Sequence, residues 1–458
     1  MWATPGRTCY AWHRSDHGRP SRSRNRLGSE ARPLLEAALE TRRKQFGSRS
    51  LEVAQTCYEL AELAEADDNT DPKARERWSR ESLDIRRERL GKDDLDLAAS
   101  LRQAGVAIAV TTDDKDEQAE RLLQESLAIR RRRLGNEHLL VADSLYGIGA
   151  AVSWAKNDVV RGEPFFREAL AMRRRLLGND HPDTLLSIQG LANHLNRKGD
   201  LASAEPLYRE EIATSRKIYR STHPELAYQL NDLQTLLWTR GEFDEADRVG
   251  REALALALPR FPDFAAIIMA NLADSRQGVG DADGAQALLL RSLELPHLPG
   301  LPRYREVVLT DLVALLNARG RHQDALRRAN EAITNLRKGG SRSSLARALY
   351  QRADALRASD AVEADRSYIE GLEVQRVVVT QIKTKLPGDS RIGGAEALLG
   401  AYLFALHRYE EAEPVLIRSY NYLKWYHGER HYITREVRNR IVNLYYALGK
   451  PDKAAQYR

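Results

Sequence analysis

The sequence predicts an all-α solenoid of about nine or ten stacked helix pairs, because a unit of 42–44 residues repeats along it and cannot bury its apolar face alone. Two further observations agree. Apolar residues inside each unit fall three and four apart, as in Phe165, Phe166, Ala169 and Leu170, which is helical spacing. Glycines punctuate the units at fixed places.

The repeat is plainest between residues 160 and 245. Glu163-Pro164 returns as Glu205-Pro206, and His181-Pro182 returns as His223-Pro224, each 42 residues on. A loop of the form Gly178-Asn179-Asp180-His181-Pro182 closes one unit and opens the next, and its glycine recurs at Gly47, Gly91 and Gly135. Proline tolerates a first helical turn, so His-Pro reads as a helix start. A second glycine opens a short turn, Gly199 to Ala204, which returns as Gly241 to Ala246 and more loosely as Gly280 with Ala285, Gly320 with Ala325, His407 with Ala412 and Gly449 with Ala454. Glycine suits that place because it enters the left-handed conformation cheaply. Each unit therefore reads helix, turn, helix, loop.

The turn signature, with a small residue seven before the glycine (Ala192, Ala273) and alanine five after it, resembles the tetratricopeptide repeat. Units of that family run to about 34 residues; the longer unit here, with Ala169 to Gly178 leading into Asn-Asp-His-Pro, is similar to the kinesin-light-chain type. The resemblance implies a right-handed superhelix in which the first helix of each pair lines a concave groove. It also implies a noncatalytic scaffold that binds a protein or an extended peptide. Similar arrays follow Ser/Thr kinase domains in bacterial signalling proteins, so a regulatory array without its kinase is the alternative function; on that reading the unusual N-terminus marks lost or relocated upstream sequence. The organisation expected is a disordered basic tail at 1–30, the solenoid at 31–290, degenerate pairs with irregular loops at 291–394, and further pairs at 395–458. Val377 to Gly394 reads as a lengthened helix followed by a loop.

Composition narrows the function. The tail holds six arginines against Asp16 and Glu30, which leaves most of the net +6 outside the repeats and takes the main support from nucleic-acid binding. No stretch reaches the roughly 18 apolar residues needed to cross a bilayer, and no apolar leader begins the chain, so a cytoplasmic protein without membrane contact is expected. Cys9 and Cys57, without CxxC spacing, suggest no disulfide.

No GxxxxGK[ST], GxSxG or kinase motif is present, so no enzyme activity, small-molecule substrate or cofactor is expected. Gly278-Val279-Gly280 with Gly284 imitates a dinucleotide fingerprint, but Gly280 is the repeat's own turn. His427 and His431 are spaced for zinc on a helix, yet Gly428 to His431 matches the Gly-x-x-His of the interrepeat loop, so a structural role is expected and a metal is not.

Two surfaces remain. Carried over at matching offsets from the turn glycine, the family's groove positions fall on Gln189, Asn193 and Asn196, then on Tyr228, Asn231, Thr235 and Trp238. Later units give Asp274 and Gln277, Asn317, and Asn439, Asn443 and Tyr446. An asparagine amide both donates to and accepts from a peptide backbone. The second surface is a basic ridge: Arg86 and Arg87, Arg130 and Arg131, Arg173 and Arg174, and Arg216 with Lys217 share one repeat position. These cations also complement helix C-termini, and as a free ridge they would attract an acidic protein or nucleic acid.

Overall fold

The structure, a computed structural model, describes residues 22–65, 72–111, 116–155, 159–219, 223, 226–295, 302–385 and 391–458. Among these, 21 α-helices and no strand occur, so the chain is all-α. It divides into two compact units, one within Cys9–Arg220 and one within Ser221–Arg458. The division falls near residue 220, inside the stretch that the sequence suggests is uniform.

The first unit contains α1 (Arg22–Phe46), α2 (Leu51–Glu65), α3 (Pro72–Arg89), α4 (Leu95–Thr111), α5 (Asp116–Leu134), α6 (Leu139–Ala150), α7 (Val159–Leu177), α8 (Pro182–Lys198) and α9 (Leu201–Tyr219). The second contains α10 (Leu226–Thr239), α11 (Phe243–Ala257), α12 (Pro262–Gly278), α13 (Ala282–Glu294), α14 (Pro302–Ala318), α15 (His322–Arg337), α16 (Arg342–Leu356), α17 (Ala361–Lys385), α18 (Arg391–Ala405), α19 (Tyr409–His427), α20 (Tyr432–Ala447) and α21 (Pro451–Ala455). From α2 on, the helices pair in sequence, even-numbered inner helix with odd-numbered outer helix. The pairs continue regularly through 302–385. Of the basic tail, residues 1–21 lie outside the described residues; the remainder is already the first turns of α1, so helix begins earlier than composition suggests. The expected lengthened helix is α17, at 25 residues; Leu386 to Ser390 lie outside the described residues.

Local chemistry explains the ends. The loop histidine is an N-cap: His138 Nδ1 accepts from the Leu140 N–H at 3.0 Å, His181 Nδ1 from Asp183 at 3.1 Å and His431 Nδ1 from Ile433 at 3.3 Å. The turn glycines Gly199, Gly241, Gly280, Gly320 and Gly449 all have positive φ. His407, in the same place, adopts φ 58° and steadies itself by a 2.6 Å hydrogen bond between Nδ1 and the Tyr409 hydroxyl.

Small residues set the packing. The alanines five after the turn, Ala204, Ala246, Ala285, Ala325, Ala412 and Ala454, are all wholly buried. A methyl there lets the two helices of a pair approach closely. Central inner helices are buried on nearly all sides, as in α12, where every residue from Phe264 to Ser275 is buried, whereas the outer helix α11 buries a stripe of Ala246, Asp247, Val249, Gly250, Ala253 and Ala257. Cys57 sits in the α2 core, and burial pushes its thiol up to about 12.

Because a non-glycine residue in the left-handed region costs about 1–2 kcal/mol, His407→Gly is expected to raise stability by about 1 kcal/mol in urea denaturation. Gly241→Ala is expected to lower it by a similar amount.

Candidate partner-binding surface

The arginines of the expected ridge hold the first unit together. Arg86 on α3, Arg130 on α5 and Arg173 on α7 are buried. Each reaches the first turn of the following inner helix. Arg86 Nη1 donates to the Asp96 carbonyl at 3.0 Å and to Ser100 Oγ at 2.9 Å; Arg130 Nη1 donates to the Leu140 carbonyl at 2.8 Å and Ser144 Oγ at 2.9 Å; Arg173 Nη1 donates to the Asp183 carbonyl at 3.2 Å and Ser187 Oγ at 2.8 Å. Arg42 repeats the contact on Glu52 and Thr56. The partners stand at ten and fourteen residues every time.

The next column points outward but is paired with the following unit. Arg43–Glu81 (2.6 Å), Arg87–Glu125 (2.5 Å), Arg131–Glu168 (2.7 Å) and Arg174–Glu210 (2.6 Å) form one ladder. Arg132–Asp93, Arg175–Glu137 and Lys217–Asp180 form a second that reaches back one unit. The shared register expected from the sequence is present, but Arg87, Arg131, Arg174 and Lys217 are paired with carboxylates of neighbouring repeats, Arg130 and Arg173 reach Asp143, and Arg86 is buried in its clamp, which corrects the expectation of a free basic ridge at these positions. The clamp position falls on Ser215 in the next repeat, where Arg216 stands in register with Arg174.

Asp143 gathers the inner ends of this set, with Arg102 Nε at 2.7 Å, Arg130 Nη1 at 3.0 Å and Arg173 Nη2 at 3.9 Å. Burial alone would raise this carboxyl. Arg102 first, then Arg130 and Arg173, outweigh it and hold Asp143 below the usual carboxylate range.

Several groove positions also serve the fold. Tyr208 on α9 donates to Asn193 Oδ1 at 2.7 Å and accepts from Asn196 Nδ2 at 3.4 Å, so both asparagines face the outer helix of their own pair. Asn231 Oδ1 accepts from Asn271 Nδ2 at 2.8 Å across α10 and α12, and Tyr228 stacks on Phe264 with centroids 4.0 Å apart. Trp238 is buried against His427, His431 and Tyr432. Asp274 is buried as well. These six were expected in an open groove; packing takes them up because α8, α10 and α12 are covered on nearly all sides.

Gln189, Thr235, Gln277 and Asn317 remain half-buried, and Asn439, Asn443 and Tyr446 are exposed on α20. Asn317 Nδ2 donates to the Gln351 carbonyl at 2.8 Å and Oε1 at 3.1 Å, while its own Oδ1 is buried with no hydrogen-bond partner. Sequence reasoning missed Asp311 and Arg347, a buried 2.7 Å ion pair between α14 and α16. A charged residue among leucines and alanines at Asp311 was the available signal. Among the described residues no helix is long and apolar enough to cross a membrane, and no group of three or more His, Cys, Asp or Glu is gathered as a metal would need.

Residues 104–140, 150–216 and 185–258 match the tetratricopeptide repeat. These helix pairs are therefore tetratricopeptide repeats. Their long unit makes them kinesin-light-chain-like, as the loop and turn suggest. Among solved structures, the chain is similar to nearly identical TPR-like repeats from Podosopora anserina assigned to a kinesin light chain (22% identity, 42% of this chain, 92% of that one, TM-score 0.38). It is also similar to BtubC (BKLC) from P. vanneervenii (17% identity, 56% and 89%, TM-score 0.39). A Rap protein complexed with Competence and Sporulation Factor aligns at 12% identity over 90% of this chain and 100% of that one, with TM-score 0.44. No curated protein sequence matches.

Removing one member of a buried ion cluster strands the others, so Arg130→Ala is expected to destabilise the first unit by about 3 kcal/mol. Arg131→Ala, on the exposed ladder, is expected to cost less than about 1 kcal/mol. Urea titration of the two variants side by side separates clamp from ladder.

Proposed function

We propose that this chain is a noncatalytic scaffold that holds a protein or an extended peptide against inner helices of its second unit. The observation that supports this reading is a row of polar side chains crossing successive inner helices in an alanine- and leucine-rich core. Asn231 meets Asn271, Asp311 meets Arg347 and Asn317 meets Gln351. Thr235, Gln277 and Asn317 bring the row to the half-buried edge on α10, α12 and α14. Amide and hydroxyl groups there both donate and accept, which suits a peptide backbone of loosely specified sequence. Tetratricopeptide repeats are generally interaction scaffolds, and the reading agrees with that.

Affinity capture from the native cell lysate tests it, comparing wild type with Thr235→Ala/Gln277→Ala/Asn317→Ala and with Asn439→Ala/Asn443→Ala/Tyr446→Ala. The first variant is expected to keep its helical circular dichroism and lose the partner that the wild type retains. Equal retention by all three proteins removes the inner row as the site.

A further inference from the structure

The loop between α19 and α20 lies against the turn between α10 and α11, which is nearly two hundred residues earlier in the chain yet in the same unit. His427 Nδ1 donates to the Thr239 carbonyl at 3.0 Å, and His431 Nε2 donates to the Trp238 carbonyl at 3.1 Å. The two imidazoles stack on one another with centroids 4.5 Å apart. Trp238 stands edge-on to both, and Phe243 and Tyr432 pack on His431. Both histidines are almost completely buried.

Those hydrogen bonds fix the protons. A carbonyl only accepts, so His427 carries its proton on Nδ1 and His431 carries its own on Nε2. The remaining nitrogens are lone pairs. That of His431 accepts the Ile433 N–H and caps α20. That of His427, Nε2, is buried without a partner. A second proton on His431 would set N–H against N–H and remove the cap, and one on His427 would bury a cation with nothing to receive it.

We propose that this loop is a proton-released clasp: neutral His427 and His431 hold the second unit closed, and protonation of the pair opens the contact with the α10–α11 turn before the unit unfolds. The titratable groups facing the pair are each other and the phenols of Tyr426 and Tyr432. The nearby charged groups are already engaged, Arg240 with Glu242 at 2.9 Å, and Glu429 with Lys424 at 3.2 Å and with the Tyr420 hydroxyl at 2.9 Å. Neither pair offers a counterion to an imidazolium. The clasp does not depend on which partner the chain binds.

Burial pushes His427 down to about 4, and burial together with its neighbour pushes His431 down to about 3. In the open loop each returns to about 6.5. A depressed folded value means the contact is at full strength above about 6.5 and is lost as pH falls from there toward about 4. By linkage, the opening equilibrium at pH 5 rises about 30-fold for each histidine released.

Hydrogen–deuterium exchange on the full chain tests this at pH 7.5 and pH 5, with rates corrected for intrinsic chemistry. Amides of 229–243 and 428–436 are expected to exchange more than about tenfold faster at pH 5, and those of 139–150 at unchanged rates. His427→Phe/His431→Asn keeps a ring and an N-cap without a titrating group, and is expected to abolish the difference. The same acid response in that variant overturns the proposal. Should the variant fold poorly, histidine ring shifts followed by NMR in the wild type decide: titration below about 5 supports the clasp, and titration near 6.5 overturns it.

Discussion

The arginine that leaves an outer helix and grips the first turn of the next inner helix is the contact on which the first unit depends. It spans the loop between two pairs, so it fixes an angle that a loop of four or five residues would otherwise leave loose. One guanidinium reaches a first-turn carbonyl and a buried hydroxyl at once, which a lysine ammonium with its point charge does less well. Because the contact recurs at Arg42, Arg86, Arg130 and Arg173, each pair inherits the orientation of the one before. The paired ladder outside it repeats that register at lower energy.

This explains what the sequence made legible. Helix, turn and loop were readable because each rests on a local rule: periodicity for the helices, positive φ for the glycines, and a small side chain for the alanine at the crossing. The arginine column was readable as a column. Its use was not, because a ridge of free cations and a set of clamps look alike until Ser100, Ser144 and Ser187 are placed fourteen residues on. The groove failed more deeply. Asn193 sits at the offset where the family faces its groove, but Tyr208 on the outer helix supplies a hydroxyl that claims it. Competition of that kind depends on a residue in another helix, which a single repeat cannot reveal.

The two units use their polar residues differently. Both pair charge between successive outer helices, as Arg87 with Glu125 in the first and Arg337 with Glu370 in the second, and the first also gathers charge on Asp143. In the second, neutral amides and the ion pair Asp311–Arg347 cross between inner helices, and histidines join the ends. The loop histidine illustrates the change of use. At His138 and His181 it caps a helix; at His431 it caps a helix and also crosses to a distant turn.

That crossing has a mechanical consequence. A stack whose contacts are all between neighbours peels from an end under load, one pair at a time, at a nearly constant low force. A stack whose last loop is fastened to its first turn shares the load around a closed path, so it resists until the fastening breaks and then yields in one step. The first unit would behave as a spring and the second as a fuse.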